Sequence, residues 1–329
     1  MTTPPTLAEI EATRARIAPY VLETPMLAYY GSAVPRRLPA GTEPVLKLEL
    51  FQRTGSFKAR GAVNVMLSLS DAERSRGVVA ASAGNHAMAT AYAANVLGIS
   101  AKVAMPKSSN PFRVARCRAF GAEIVFADHV GELFDLVETI QRQEGRVMVH
   151  PFEGPRTFEG TATVGWEIGR DAPDLDAVIV PVGGGGLISG IASAIKQLKP
   201  DCAVFGVEPA GAQGMTQSLA AGGPLDKVTV NTIADSLGAP HHRAGSFALV
   251  QRFVDNMVTV EDQEMIDAMA LMFGDLKLAV EPAGAAALAA LLGPLKSRLA
   301  GKRVGIVVCG TNIDEGTYCR LLSQASADE

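Results

Sequence analysis

Apolar runs rich in β-branched residues, with almost no polar alternation, recur along the chain, and many give way to stretches with helical spacing. Residues 78–81 lead into 87–97, residues 101–105 into 113–120, and residues 123–127 into 133–143. Further strand-like runs fall at 147–149, 177–182, 203–207 and 304–308. Strands that show no polar face are buried on both sides, which predicts mostly parallel sheets covered by helices. A first helix over 7–18 places Leu7, Ile10 and Ile17 in phase, and Pro19 ends it. The fold class is α/β. The three strand–helix units between 73 and 149 are expected to form a small domain with a sheet of its own. Residues 1–72 and 150–329 are expected to build a larger one. The last seven residues, 323–329, read as a frayed tail.

One stretch, 177–195, is uncharged throughout and close to membrane-span length. Pro181 and four successive glycines interrupt it, and such a backbone would be poorly satisfied in lipid. It reads instead as a buried strand, a glycine loop and a helix.

Composition narrows the classes. The 329 residues are 48% hydrophobic and 19% charged, enough for a substantial core, and only 5% aromatic. The net charge is −4 and no basic cluster occurs, which argues against nucleic acid or an anionic membrane as partner. Cys117, Cys202, Cys309 and Cys319 lie far apart without a CxxC, the usage of a reduced, cytoplasmic protein with no zinc site. The first sixteen residues contain no apolar core, so no secretory signal is expected. Glycine, at 33 residues, is about 10% against an average near 7%, an excess that asks for a reason.

Part of the reason is Gly183, Gly184, Gly185 and Gly186, between a buried strand and a helix. Glycine backbone and the free N–H groups of a helix start make a phosphate cradle, though a close-packed turn is the plainer alternative. The spacing fails the dinucleotide fingerprint, since Ile188 or Ser189 stands at the third glycine position. Glu208 nevertheless follows Gly186 at a ribose-binding distance, so a nicotinamide-dependent oxidoreductase stays open.

Three other segments carry chemistry. In Thr54-Gly-Ser-Phe-Lys-Ala-Arg-Gly61, Lys58 falls in the first turn of a helix beside Phe57, where a cation opposes the helix dipole. Most lysines are solvated, but desolvation and the positive helix end would give this one the neutral amine that a Schiff base requires. Ser82-Ala-Gly-Asn-His86 again joins a buried strand to a helix and offers N–H groups to a carboxylate. His86 itself reads first as a packing residue. Val308-Cys-Gly-Thr-Asn312 ends a strand with a thiol, which could equally be a small buried hydrophobe. A lysine, a phosphate cradle, a carboxylate loop and a polar strand end together match the needs of pyridoxal phosphate.

The set SFKARGA, SAGNHA, PVGGGGL, EPAGA and CGTN resembles the fold-type II pyridoxal-phosphate enzymes, in particular the serine/threonine dehydratases (threonine ammonia-lyases). The resemblance runs in order from Thr24 to Asn312 and implies a tryptophan synthase β-like fold of two open, mostly parallel sheets covered by helices. It implies Lys58 as the catalytic Schiff-base lysine and Phe57 beside the pyridine ring. It further implies Asn85 on the phenolic oxygen, Gly183 to Gly186 on the phosphate, Cys309 on the pyridine nitrogen and Glu281 near the ring. Ser82, Ala83, Gly84, Asn85 and His86 are expected to bind the substrate carboxylate. The reaction implied is β-elimination from a hydroxy amino acid such as L-threonine or L-serine, giving a 2-oxo acid and ammonia. Racemases that resemble this family carry serine at position 83, and Ala83 has no proton to give. A racemase, or a dehydratase of 3-hydroxyaspartate or phenylserine, is the alternative on the same fold.

The chain also departs from the family pattern. Glu159-Gly-Thr-Ala-Thr163 stands where AGQGT is usual. The cation pattern begins with Glu208 but has Gly214 in place of its later acid, which argues against a divalent metal and leaves a monovalent cation open. Residues 235–245 are longer and more basic than the usual turn and either line the substrate side or form a solvated loop. The resemblance implies a homodimer or homotetramer. Because the chain ends soon after Asn312, no regulatory domain and no isoleucine feedback are expected.

Overall fold

The computed structural model describes residues 2–326; of the expected tail, 327–329 lie outside the described residues. The strands are β1 (Met26–Ala28), β2 (Glu43–Lys47), β3 (Val78–Ala81), β4 (Ala101–Pro106), β5 (Glu123–Ala127), β6 (Val147–Met148), β7 (Ala177–Pro181), β8 (Ala203–Pro209), β9 (Asn256–Val260) and β10 (Arg303–Val307). They form a four-stranded sheet in the order β5-β4-β3-β6 and a six-stranded sheet in the order β1-β2-β10-β7-β8-β9. The smaller sheet is wholly parallel. In the larger, only β1 is antiparallel, with Met26 opposite Lys47. Every residue of β3 and of β7 is buried, which is why these strands carry apolar side chains on both faces.

The expected strands are present, with ends shifted by a residue or two. β1, β2 and β9 were not expected. β1 and β9 are short edge strands, half buried at most positions, and β2 is interrupted in sequence by Pro44, so none shows a continuous apolar run. The 177–195 segment resolves into β7, the glycine loop and the helix Gly186–Leu198, and among the described residues no helix is long and apolar enough to cross a membrane.

A buried ionic network fixes the helix Lys58–Leu67 against its neighbours. Arg60 is fully buried and holds both Glu49 and Glu167; Lys47, on β2, also donates to Glu167 at 2.5 Å. Arg60 Nη1 adds a bond to Thr163 Oγ1 at 3.1 Å. Two cations facing two carboxylates leave no net charge in the interior, which is the condition under which buried ions are tolerated. The carboxyl ends of β3, β7 and β10 open toward one crevice, where open α/β sheets bind their ligands.

Candidate active site

The stretch before Lys58 is zipped to the stretch after β10. Ser56 pairs with Gly310, Phe57 N donates to the Cys309 carbonyl at 3.2 Å, and Thr311 N to the Gly55 carbonyl at 2.9 Å. This brings Cys309 to Lys58, residues far apart in the chain. The turn is held in left-handed backbone, with φ of 67° at Thr54 and 73° at Gly55, and Asn312 Nδ2 donates to the Thr54 carbonyl at 2.7 Å. A non-glycine residue in that region costs about 1–3 kcal/mol and persists only where the surroundings enforce it.

Lys58 opens its helix as expected, with Nζ donating to the Pro151 carbonyl and standing 5.0 Å from the centre of the Phe57 ring. Burial drives its ammonium down to about 8, against the opposing pull of Cys309 and Glu281. At pH 7 about a tenth is therefore the free amine, far more than for a solvated lysine. The Cys309 thiol, also fully buried, is pushed well up and donates to the Ala283 carbonyl at 3.4 Å, so it is neutral at working pH.

Asn85 starts the helix Asn85–Leu97, and its amide is held at both ends. Nδ2 donates to Glu281 Oε1 at 2.6 Å and to Ser236 Oγ at 3.2 Å, while Oδ1 accepts from Asn312 Nδ2 at 2.6 Å. Glu281 Oε2 is buried without a hydrogen-bond partner, and burial pushes this carboxyl up to about 7 despite Arg113 nearby. In the loop before Asn85, Ser82 Oγ accepts from Gly84 N at 3.1 Å. His86 Nε2 meets the Val149 carbonyl at 2.7 Å, burial takes its pKa to about 3, and the residue also lines the cavity.

The glycine loop turns where only glycine fits. Gly185 has φ of 89°, and a Cβ on Gly184 would lie 2.2 Å from the Phe152 ring. The helix Gly186–Leu198 begins at the loop, so its first N–H groups have no acceptors of their own and face the turn. The crevice holds a cavity of about 320 Å³ that Lys58, Ser82, Ala83, Gly84, Asn85, His86 and Gly184 all line.

The structure adds residues to this cavity that the sequence did not single out. Phe134 reaches it from the helix Leu133–Glu144, with Pro151 and Phe152 from the segment after β6. Asp235, Ser236, Gly238, Ala239 and Pro240 also line it, so the 235–245 segment borders this cavity up to Pro240. Arg113 lies under the Ser82–Asn85 loop, bonds Asp235 through both terminal nitrogens and donates to the Asn312 carbonyl at 2.9 Å. Its only sequence signal is an arginine on an otherwise amphipathic helix.

Glu208 does not serve as a ribose ligand. Its carboxyl is fully buried and accepts from Met215 N, Thr216 N and Thr216 Oγ1 at 2.7–2.9 Å, capping the helix Gly214–Ala221. Among the described residues no group of three or more His, Cys, Asp or Glu side chains is arranged to hold a metal ion.

The residues fit pyridoxal phosphate. A buried amine near its titration point, a glycine cradle closed to any side chain, an unpartnered buried carboxyl oxygen and a neutral thiol converge on one crevice. The chain belongs to the pyridoxal-phosphate dependent enzymes, whose family model it matches over residues 18–310. It is 51% identical over 322 residues to the phenylserine dehydratase of Ralstonia pickettii, covering 98% of this chain and 97% of that protein. It is 41% identical over 285 residues to the L-threonine ammonia-lyase of Thermotoga maritima, covering 86% of this chain and 71% of that one. The maize serine racemase structure superposes with a TM-score of 0.88 at 36% identity, covering 98% of this chain and 99% of that one. Membership of this family sets aside the nicotinamide reading.

Proposed function

We propose that the chain is an ammonia-lyase that dehydrates and deaminates a β-hydroxy amino acid to a 2-oxo acid and ammonia. The observation that carries the reading is the buried Lys58 amine, titrating near 8, in a cavity walled by Ala83 and the Ser82–His86 loop. When bound, pyridoxal phosphate supplies the electron sink that lets the Cα–H bond ionise. Lys58 Nζ would hold the cofactor and, once the substrate amine replaces it, accept the Cα proton. Gly183, Gly184, Gly185 and Gly186 would hold the phosphate, and Phe57 and Asn85 the ring and its phenolic oxygen. The neutral Cys309 thiol would meet the pyridine nitrogen without protonating it, which favours elimination over transamination. Ser82, Ala83, Gly84, Asn85 and His86 would take the substrate carboxylate.

Borohydride reduction of the yellow holoenzyme followed by peptide mapping tests the site: the cofactor is expected on Lys58. Release of 2-oxo acid from a panel of L-serine, L-threonine, threo-3-hydroxyaspartate and phenylserine tests the reaction. Ala83 bears only a methyl where a racemase needs an acid on the opposite face, so D-enantiomer formation is expected to be negligible beside elimination.

The same reading divides the chain into a small substrate-side unit, 73–149, and a large cofactor-binding unit, 1–72 with 150–329. None of the four cysteines is paired, which suits a reducing cytoplasm. A homodimer or homotetramer is expected in sedimentation.

A further inference from the structure

Beyond the reacting centre, the cavity wall is apolar: Leu133, Phe134, Phe152, Val230, Ala239 and Pro240 line it. Four rings behind and within this wall form a closed circuit. Phe134 meets His241 edge-on at 4.8 Å, His241 meets Phe152 at 5.8 Å, Phe152 meets His150 at 4.6 Å, and His150 returns to Phe134 at 6.2 Å. The chain has only twelve phenylalanines and five histidines, and two of each gather here. They come from three separate segments: the helix Leu133–Glu144, the stretch after β6, and the 235–245 loop.

We propose that Phe134 and Phe152 form the subsite for an aromatic β-substituent, with His241 as the residue that positions Phe134. The proposal rests on the dehydratase reading and names the substrate class for it. Edge-to-face packing fixes each ring by its neighbours, so the surface offered to the cavity is built before the ligand arrives.

The wall is also uncharged. His150 accepts from the Phe152 and Glu153 N–H groups through Nδ1, and burial takes its pKa to about 3. Burial, then Arg243, lowers that of His241, and the Nε2 atoms of both rings are buried without a hydrogen-bond partner. The acids and bases that line the cavity are Lys58, neutral His86 and Asp235, and Asp235 is paired with Arg113. A β-carboxylate would meet Asp235 and, among the described residues that line the cavity, no cation beyond Lys58. A methyl group would leave most of the wall uncovered. An aryl ring covers it, and burial of that extent separates aryl from methyl substrates by roughly tenfold to a hundredfold.

The test uses the holoenzyme and compares phenylserine with L-threonine by kcat/KM. Wild type is expected to favour phenylserine, and Phe134→Ala to lower the phenylserine-to-threonine ratio at least about tenfold. His241→Ala is expected to raise KM for phenylserine with a smaller change in kcat, and His241→Phe, which keeps an aromatic edge, to restore it. A binding arm titrates L-phenylalanine and L-alanine, which have no β-hydroxyl to lose, against the cofactor absorbance. L-Phenylalanine is expected to bind the tighter, and Phe134→Ala to remove that advantage. Equal loss for both substrates in Phe134→Ala, or no preference for L-phenylalanine in wild type, overturns the subsite. If neither hydroxy amino acid yields a 2-oxo acid while L-phenylalanine still binds tighter through Phe134, the subsite stands and the dehydratase reading falls.

Discussion

Asn85 Nδ2 lies 2.6 Å from Glu281 Oε1, so the loop leaving the smaller sheet is bonded to the carboxyl that precedes the helix Pro282–Leu292. That bond satisfies one oxygen of Glu281 and leaves the other without a donor, 3.9 Å from the Arg113 guanidinium. The carboxyl titrates near 7, and its charge is felt at Lys58.

Glu281→Gln removes that charge. Burial lowers the Lys58 ammonium, while Cys309 and Glu281 hold it up; the Cys309 thiol is neutral at working pH, so the carboxylate is the charge that matters. Loss of a negative neighbour disfavours the ammonium, and the Lys58 pKa is expected to fall below about 8. The pH profile of Lys58 labelling by an amine-reactive reagent in the apo-protein measures it. An unchanged or upward midpoint would contradict the assignment.

Gly184→Ala places a methyl group against the Phe152 ring, 2.2 Å from its nearest atom. The loop must shift, and affinity for pyridoxal phosphate is expected to drop by roughly tenfold or more, given how strongly tight contacts resist overpacking. Phe152→Ala in the same chain opens the space and is expected to return part of that loss. Cofactor titration followed by fluorescence distinguishes this steric effect from general unfolding.

Arg60→Met leaves Glu49 and Glu167 buried with Lys47 as their one remaining cation. Breaking a buried pair from one side costs about 3–5 kcal/mol. A guanidinium unfolding curve is expected to show a loss of that size. A variant as stable as wild type would mean that the carboxyls are neutral in the folded protein.

Glu208 gives a pH signature of its own. Burial raises its pKa from 4.5 to about 7, so the folded protein holds this proton more tightly than the unfolded chain does. Its contribution to stability is complete below 4.5 and lost as pH rises through about 7. In Glu208→Gln that dependence disappears, and the variant's melting temperature relative to wild type is expected to rise between pH 5 and pH 8. The swing is of the order of 1–3 kcal/mol.

The strands of the smaller sheet and the glycine loop were legible because both leave an unmistakable local trace. Buried parallel strands have no polar face, and four adjacent glycines have few other uses. Lys58 was legible because its place in a helix start conflicts with its charge. Phe134 and Phe152 were not, since an apolar ring on a helix or after a strand looks the same whether it faces core or ligand. Pro151 contributes a carbonyl, which has no side-chain signature. Arg113 meets Asp235 across 122 positions, a pairing that no local pattern announces. Glu208 shows the opposite failure: its spacing suggested a ligand, and the backbone N–H groups of its neighbours claim it.

The bond from Lys58 to the Pro151 carbonyl also ties together the two places where the chain crosses between the sheets. The chain enters the smaller sheet at Val78, after the helix that begins with Lys58, and leaves it at Met148, just before Pro151. The Lys58 amine thus holds the outgoing crossing from the incoming side. A displacement that carried Pro151 away from Lys58 would stretch or release this bond. One hydrogen bond therefore bridges both crossings between the sheets.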